Sequence, residues 1–214
     1  MKAQLPAAGK FITIEGGEGV GKSTNTDLIQ SLLEARGIEV VVTREPGGTA
    51  LGEELRSVLL RPNAQPPVAM AELLLIFAAR AQHLETVIEP ALAAGKWVLC
   101  DRFTDATYAY QGWGRELDQG VIADLEHLVQ GERRPDLTVL LDMDPSQGLL
   151  RAQERAALDR FEQEELAFFD RVRSGYLVRA TAEPSRWIVI DASKTLDEVK
   201  AALSGAFNQW LDHG

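Results

Sequence analysis

Residues 11–24 read Phe-Ile-Thr-Ile-Glu-Gly-Gly-Glu-Gly-Val-Gly-Lys-Ser-Thr, and this stretch decides the fold. Phe11–Glu15 is short and nearly continuous in apolar character, which is how a parallel strand covered on both faces looks. Gly16-Gly17-Glu18-Gly19-Val20-Gly21-Lys22-Ser23 then fits the spacing G-x-x-x-x-G-K-[ST]. The glycines let the backbone curl so that successive N–H groups face inward onto a phosphate. From Lys22 to Arg36 apolar residues recur at Leu28, Ile29, Leu32 and Leu33, with Gly37 as a stop. A helix is expected there, and its positive end would face the same anion. The strand before and the helix after are the context that this motif demands. Gly16 to Ser23, with Thr24 behind them, are therefore expected to bind a nucleoside triphosphate. Lys22 would reach its β- and γ-phosphates and Ser23 would hold Mg2+. The motif alone does not separate a kinase from a GTPase or a motor.

Outward from this loop, four more runs rich in Val, Ile and Leu read as buried strands: Ile38–Thr43, Trp97–Asp101, Leu137–Asp142 and Trp187–Asp191. Three of the five strands end in aspartate and the first in Glu15, and ligands of open α/β sheets sit at such carboxyl ends. Helical segments lie between them. Ala69–Ala94 is long and mostly apolar, with Pro90 expected to kink or divide it. Ile122–Val129 and Gly148–Arg155 are amphipathic, and Glu162–Ala182 and Leu196–Leu211 close the chain. Strands alternating with helices predict an α/β fold, a five-stranded parallel sheet flanked by helices. No internal repeat or low-complexity tract interrupts residues 1–214, so one domain is expected, with Arg61–Pro67 as a loop.

The bulk numbers narrow the class. With 45% hydrophobic and 25% charged residues, the chain is an ordinary globular one, and 214 residues bury a large core without staples. A single cysteine, Cys100, allows no internal disulfide and reads as a buried thiol of an intracellular, cytoplasmic protein. The N-terminal ten residues carry no apolar region of a secretion signal, and no run of 18 apolar residues spans a bilayer. A net charge of −10 argues against a nucleic-acid partner, which needs a basic face. A small phosphorylated ligand needs only a few placed cations.

No Asn-Lys-x-Asp guanine motif and no LSGGQ-type segment occurs. What does occur, in order after the loop, is Arg44-Glu45-Pro46-Gly47-Gly48-Thr49, Gly52-Glu53-Glu54-Leu55-Arg56, Phe77-Ala78-Ala79-Arg80, Asp101-Arg102-Phe103, Tyr108-Ala109-Tyr110-Gln111-Gly112 and Asp159-Arg160-Phe161-Glu162. With these segments the chain resembles the thymidylate kinases over almost its whole length, and the bacterial form most closely. The resemblance implies a P-loop kinase fold with a small mobile lid over about residues 146–160, transfer of a phosphoryl group from ATP to dTMP with Mg2+ in the supply of dTTP, and a homodimer. The apolar helix after Pro67 could supply the dimer interface.

Physical chemistry agrees with it. A nucleoside monophosphate kinase holds two polyanions together and needs cations converging on both; arginine pairs bidentately with phosphate oxygens. Arg102 follows directly on a strand end, and the resemblance makes it the clamp on the dTMP phosphate; Arg56 falls where the family has another contact. Glu45 and Asp101 would hold Mg2+ through water and orient the arginines. By resemblance Arg80 donates to the thymine carbonyl, Thr107 and Gln111 border the base, Tyr110 packs at C2′ of the deoxyribose, and Glu18 accepts from the 3′-hydroxyl. The family often stacks a phenylalanine on the base four residues before this arginine. Here that position is Ile76, followed by Phe77, so either Phe77 reaches the base or an aliphatic face replaces the ring. Of Tyr108 and Tyr110, one is expected to be plain packing.

In the lid, Arg151 and Arg155 stand i,i+4 and share a helix face. They are either solvated charge or the cations that close over ATP. Some family members carry an arginine in the phosphate loop and others in the lid; here Gly19 follows Glu18, which favours Arg151 and Arg155 as catalytic cations beside Lys22, Arg102 and Asp101. Arg160 is expected to order the lid from its base. Two other readings stay open: a kinase for another monophosphate or a deoxynucleoside, and a nucleotide-dependent switch without phosphotransfer.

Overall fold

The computed structural model describes residues 9–62, 65–155 and 159–213. β1 (Phe11–Gly16), β2 (Val40–Arg44), β3 (Trp97–Asp101), β4 (Leu137–Asp142) and β5 (Trp187–Asp191) form one sheet in the order β2-β3-β1-β4-β5. Every neighbouring pair is parallel. Strand period two sends Ile12, Ile14, Leu99, Val139 and Leu141 to one face. There they pack against Ile29 and Leu33 of α1 (Lys22–Glu34) and Leu203 and Phe207 of α9 (Leu196–His213). Phe11, Val98, Cys100 and Leu140 lie under the helices of the opposite face. Both faces are buried, which is why the strands read as continuous apolar runs. Pairing of Ile14 with Asp101, Arg44 with Asp101 and Asp142 with Asp191 brings the carboxyl ends to one edge.

Several boundaries differ from expectation, each for a local reason. β2 starts at Val40 rather than Ile38 because the chain first closes α1. The N–H of Gly37, at φ +74°, bonds Glu34 C=O at 2.9 Å, and that of Ile38 bonds Leu33 C=O at 3.1 Å, the two bonds of a Schellman cap. α2 (Ala50–Leu60) was not among the expected helices. Only Gly52 and Leu59 of its residues are buried, and Thr49 caps it by accepting Gly52 N–H at 2.9 Å.

The long apolar helix is divided ahead of Pro90. α3 (Ala69–His83) passes through a π turn, Leu84–Ile88, into α4 (Glu89–Ala93). The ladder loosens just where the proline removes an N–H from it. After β3 come α5 (Thr104–Thr107), a second π turn at Tyr108–Gly114, and α6 (Gln119–Gln130). α7 (Pro145–Arg155) follows β4. α8 (Leu166–Ala182) begins four residues later than expected, because Asp159 and Glu162 exchange backbone-to-carboxylate bonds of 3.0 and 2.9 Å and make residues 159–162 a turn. Among the described residues no helix is long and apolar enough to cross a membrane.

Candidate active site

The phosphate loop leaves β1 at the centre of the sheet, flanked by β3 and β4. Lys22 Nζ turns back on it, donating to Gly17 C=O at 2.8 Å and Gly16 C=O at 3.3 Å. Burial, and then the charge of Arg102, lower the pKa of this ammonium. Gly19 has φ +67°, and a Cβ on it would lie 1.9 Å from Gly148 C=O in α7; one on Gly148 would lie 2.3 Å from Glu18 C=O. The loop and the first turns of α7 therefore touch backbone to backbone, which leaves no room for an arginine at position 19.

At the end of β3 the chain turns sharply through Arg102 at φ +70°. Its Nη1 donates to Gly16 C=O and its Nη2 to Glu18 Oε1, both at 2.8 Å, and its guanidinium lies 4.7 Å above the Tyr110 ring. Tyr110 O–H donates to the same Glu18 oxygen at 2.7 Å. Glu18 thus joins the loop to Arg102 and Tyr110. On the other side of the loop, a groove is lined by Ser23, Thr26, Thr43 and Asp101. Ser23 is exposed, and Asp101 Oδ1 is buried with no hydrogen-bond partner among the described residues.

Beside Arg102 opens a cleft. Its walls are Glu18, Glu45, Pro46, Arg56, Leu59, Leu60, Ile76, Arg80, Arg102, Phe103, Ala106, Thr107, Tyr110, Gln111, Asp159 and Phe161. Every expected acceptor-side residue except Phe77 is there. Phe77 instead packs with Leu73, Tyr108 and Ile122, under the Arg80 guanidinium, and Ile76 faces the cleft. Successive helix residues point about 100° apart, so only one of the two could. Tyr108 is the packing tyrosine of the pair, its O–H bonded to Glu126 at 2.6 Å.

Arg80 is 1% exposed. Its Nε donates to Glu45 Oε2 at 2.7 Å and one Nη to Thr107 Oγ1 at 2.9 Å, while Nη1 is buried without a partner among the described residues. The remaining Glu45 oxygen pairs with His83 Nδ1 at 2.9 Å, and His83 Nε2 meets Thr43 Oγ1 at 2.7 Å. Each Glu45 oxygen thus bonds one basic side chain, so the carboxylate orients Arg80 and His83. Arg56 donates Nη1 to Pro46 C=O at 3.0 Å, and Gln111 donates Nε2 to Glu72 Oε1 at 2.8 Å.

Glu72, fully buried on α3, went unnoticed from sequence. It also accepts from Arg115 at 3.2 Å and from Arg160 at 2.6 Å, so it ties Gln111 in the cleft to the base of the lid. The signal was there: a carboxylate on an otherwise apolar helix needs a cationic partner. Phe161, next to Arg160, is a second omission and a ring in the cleft wall. Arg160 is anchored to Leu59 C=O at 2.6 Å as well as to Glu72. Arg151 lies on the backbone after β5, donating to Ala192 C=O at 3.1 Å. The side chain of Arg155 and residues 156–158 of the expected lid lie outside the described residues.

Glu15, the last residue before the loop, is fully buried, and its carboxyl is pushed up from an ordinary 4.5 to about 8 by burial and then by the charge of Asp105. Folded protein thus holds a proton that the unfolded chain releases above 4.5. The stability from this group is full below that value and is lost as pH rises through about 8. Urea unfolding of wild type and Glu15→Gln between about pH 6 and pH 9 should show the wild type losing the more stability. Parallel losses would place the titration elsewhere.

A glycine loop at the centre of a 2-3-1-4-5 parallel sheet, with an arginine-lined cleft beside it, defines a phosphotransferase of the P-loop kinase fold. Comparison with known proteins makes the class specific. The family model for thymidylate kinase matches residues 14–203. The thymidylate kinase of Teredinibacter turnerae is 56% identical over 203 residues, 95% of this chain and 99% of that one. That of Pseudomonas syringae is 58% identical over 204 residues, covering 95% and 97%. The crystal structure of thymidylate kinase from Ehrlichia chaffeensis superposes with a TM-score of 0.76 at 35% identity, covering 94% of this chain and 99% of that one. The chain belongs to the thymidylate kinase family.

Proposed function

We propose that the chain, as one kinase domain, transfers the γ-phosphoryl group of ATP to dTMP, giving dTDP and ADP. The observation that carries the acceptor's identity is Arg80 Nη1. A buried N–H without a partner costs about 1–3 kcal/mol, and Arg80, which carries this one, lines the cleft with Ile76 and Thr107. A base carbonyl would satisfy it. Ile76 and the rings of Phe103 and Phe161 supply an apolar slot for a flat, methyl-bearing base, and Tyr110 excludes a 2′-hydroxyl.

Transfer then proceeds by positioning and charge neutralisation. The acceptor phosphate takes Arg102 from Glu18 and Gly16 C=O, with Arg56 as a second cation, and the freed Glu18 accepts the sugar 3′-hydroxyl. Lys22 exchanges its loop carbonyls for the β- and γ-phosphates. No general base is required, because the attacking phosphate oxygen is already anionic. The exposed Ser23 hydroxyl and the unpartnered Asp101 Oδ1 are hard oxygen donors in one groove and fit Mg2+. The ion would neutralise triphosphate charge there. Among the described residues no cluster of three acidic, His or Cys side chains could hold it alone, as suits an ion bound largely by phosphate. Arg151 and Arg155 would supply further cations on the donor side. Exposed Val58, Met70, Leu74 and Leu128 offer an apolar face to a second copy of the chain.

Calorimetric titration with dTMP, with and without a non-hydrolysable ATP analogue, tests the two-site arrangement. A ternary complex is expected. Mutual displacement would show one site, and no dTMP binding would favour a switch without phosphotransfer.

A further inference from the structure

Arg102 carries most of the proposed acceptor chemistry, and its backbone is one that a residue with a Cβ seldom adopts. A left-handed φ of +70° costs such a residue about 1–2 kcal/mol, so the surroundings must hold it there. Three bonds pin the main chain. Arg102 N–H donates to Ile14 C=O at 3.0 Å, the Cys100 thiol donates to Arg102 C=O at 3.0 Å, and the next N–H, that of Phe103, donates to Glu15 Oε1 at 2.7 Å. The other Glu15 oxygen accepts the Tyr176 hydroxyl at 2.8 Å, and that hydroxyl oxygen accepts Arg102 Nη1 at 3.3 Å. The chain of bonds starts at the backbone of Arg102 and returns to its guanidinium. Glu15 and Tyr176 are buried to within 1% and neither lines the acceptor cleft.

We propose that Glu15 and Tyr176 are positioning residues for Arg102, one carboxyl and one hydroxyl that hold its backbone in the left-handed turn and its guanidinium over the acceptor site. This rests on the assignment of Arg102 as the acceptor clamp and deepens it. The hydroxyl has a spacer's task. Glu18 already pairs with Nη2; a second carboxylate, on Nη1, would compete further with phosphate for the fork, whereas a neutral hydroxyl supports Nη1 without adding charge. The other charged groups near Glu15 fit this arrangement. Asp105 of α5 is taken up by Arg179 and Arg186 at 2.6 and 2.7 Å, and the raised Glu15 pKa keeps its carboxyl largely uncharged at neutral pH.

The test is a double-mutant cycle read by steady-state kinetics in both substrates. Tyr176→Phe keeps the ring and removes the hydroxyl. In the wild-type background it should lower kcat/KM for dTMP about tenfold and leave KM for ATP unchanged. In an Arg102→Ala background the same substitution should cost less than about twofold, because the group it acts through is gone. Glu15→Ala should follow Tyr176→Phe, with Glu15→Gln, which still accepts the Phe103 N–H, recovering part of the loss. An equal loss in both backgrounds, or none in the wild type, overturns the proposal. If Arg102→Ala itself fails to single out dTMP, the clamp assignment falls, and that result is distinct from either.

Discussion

Arg102→Ala should lower kcat/KM for dTMP by about 1,000-fold, the loss expected when two charge-assisted hydrogen bonds to phosphate disappear. KM for ATP should stay within about threefold, because Lys22 and the loop N–H groups hold the triphosphate without it. The side chain and the backbone contribute separately at this position. Alanine keeps the strain of φ +70°, and glycine relieves it. Arg102→Gly should therefore be the more stable of the two and equally inactive. Recovery of activity in the glycine variant would show that the turn, and not the guanidinium, is what catalysis needs. An equal rise in KM for both substrates would contradict the division of the site into acceptor and donor sides.

Arg80→Met should have two effects of different origin. Glu45 loses the 2.7 Å partner that compensates its burial, and breaking a buried pair from one side costs about 3–5 kcal/mol of stability. KM for dTMP should rise by roughly one to two orders of magnitude, as a charged donor to the base is lost. Arg80→Lys keeps a positive charge beside Glu45 but not the planar fork. It should recover much of the stability in urea and little of the dTMP affinity. A variant that recovers both together would reduce Arg80 to a structural cation.

How far the sequence foretold this site depends on dimension. The loop and the strand ends are linear features. Gly16–Ser23 between a strand and a helix, and Asp101-Arg102 at a strand terminus, lie in adjoining parallel strands because Ile14 pairs with Asp101. The rotation of α3 is not linear. Ile76 and Phe77 are neighbours in the chain, and only packing on Tyr108 and Ile122 decides which one faces the cleft. The partners of Glu45 were hidden for a similar reason: Arg80 and His83 stand 35 and 38 residues away, in a helix whose contacts periodicity does not give. α2 was legible and missed, for Leu51, Leu55, Val58 and Leu59 recur at helical spacing behind the Thr49 cap. Glu72 was visible as a misfit, but not as the link between Gln111 and Arg160.

The central claim is that the cleft beside the phosphate loop accepts dTMP. Coupled ADP-release kinetics with ATP and, in turn, dTMP, dUMP, dCMP, dAMP and dGMP test it most directly. The highest kcat/KM is expected for dTMP, with the purine monophosphates lowest because their larger bases must pack against the same Ile76, Phe103 and Phe161. A higher kcat/KM for any other monophosphate, or no turnover with any of them, would contradict it.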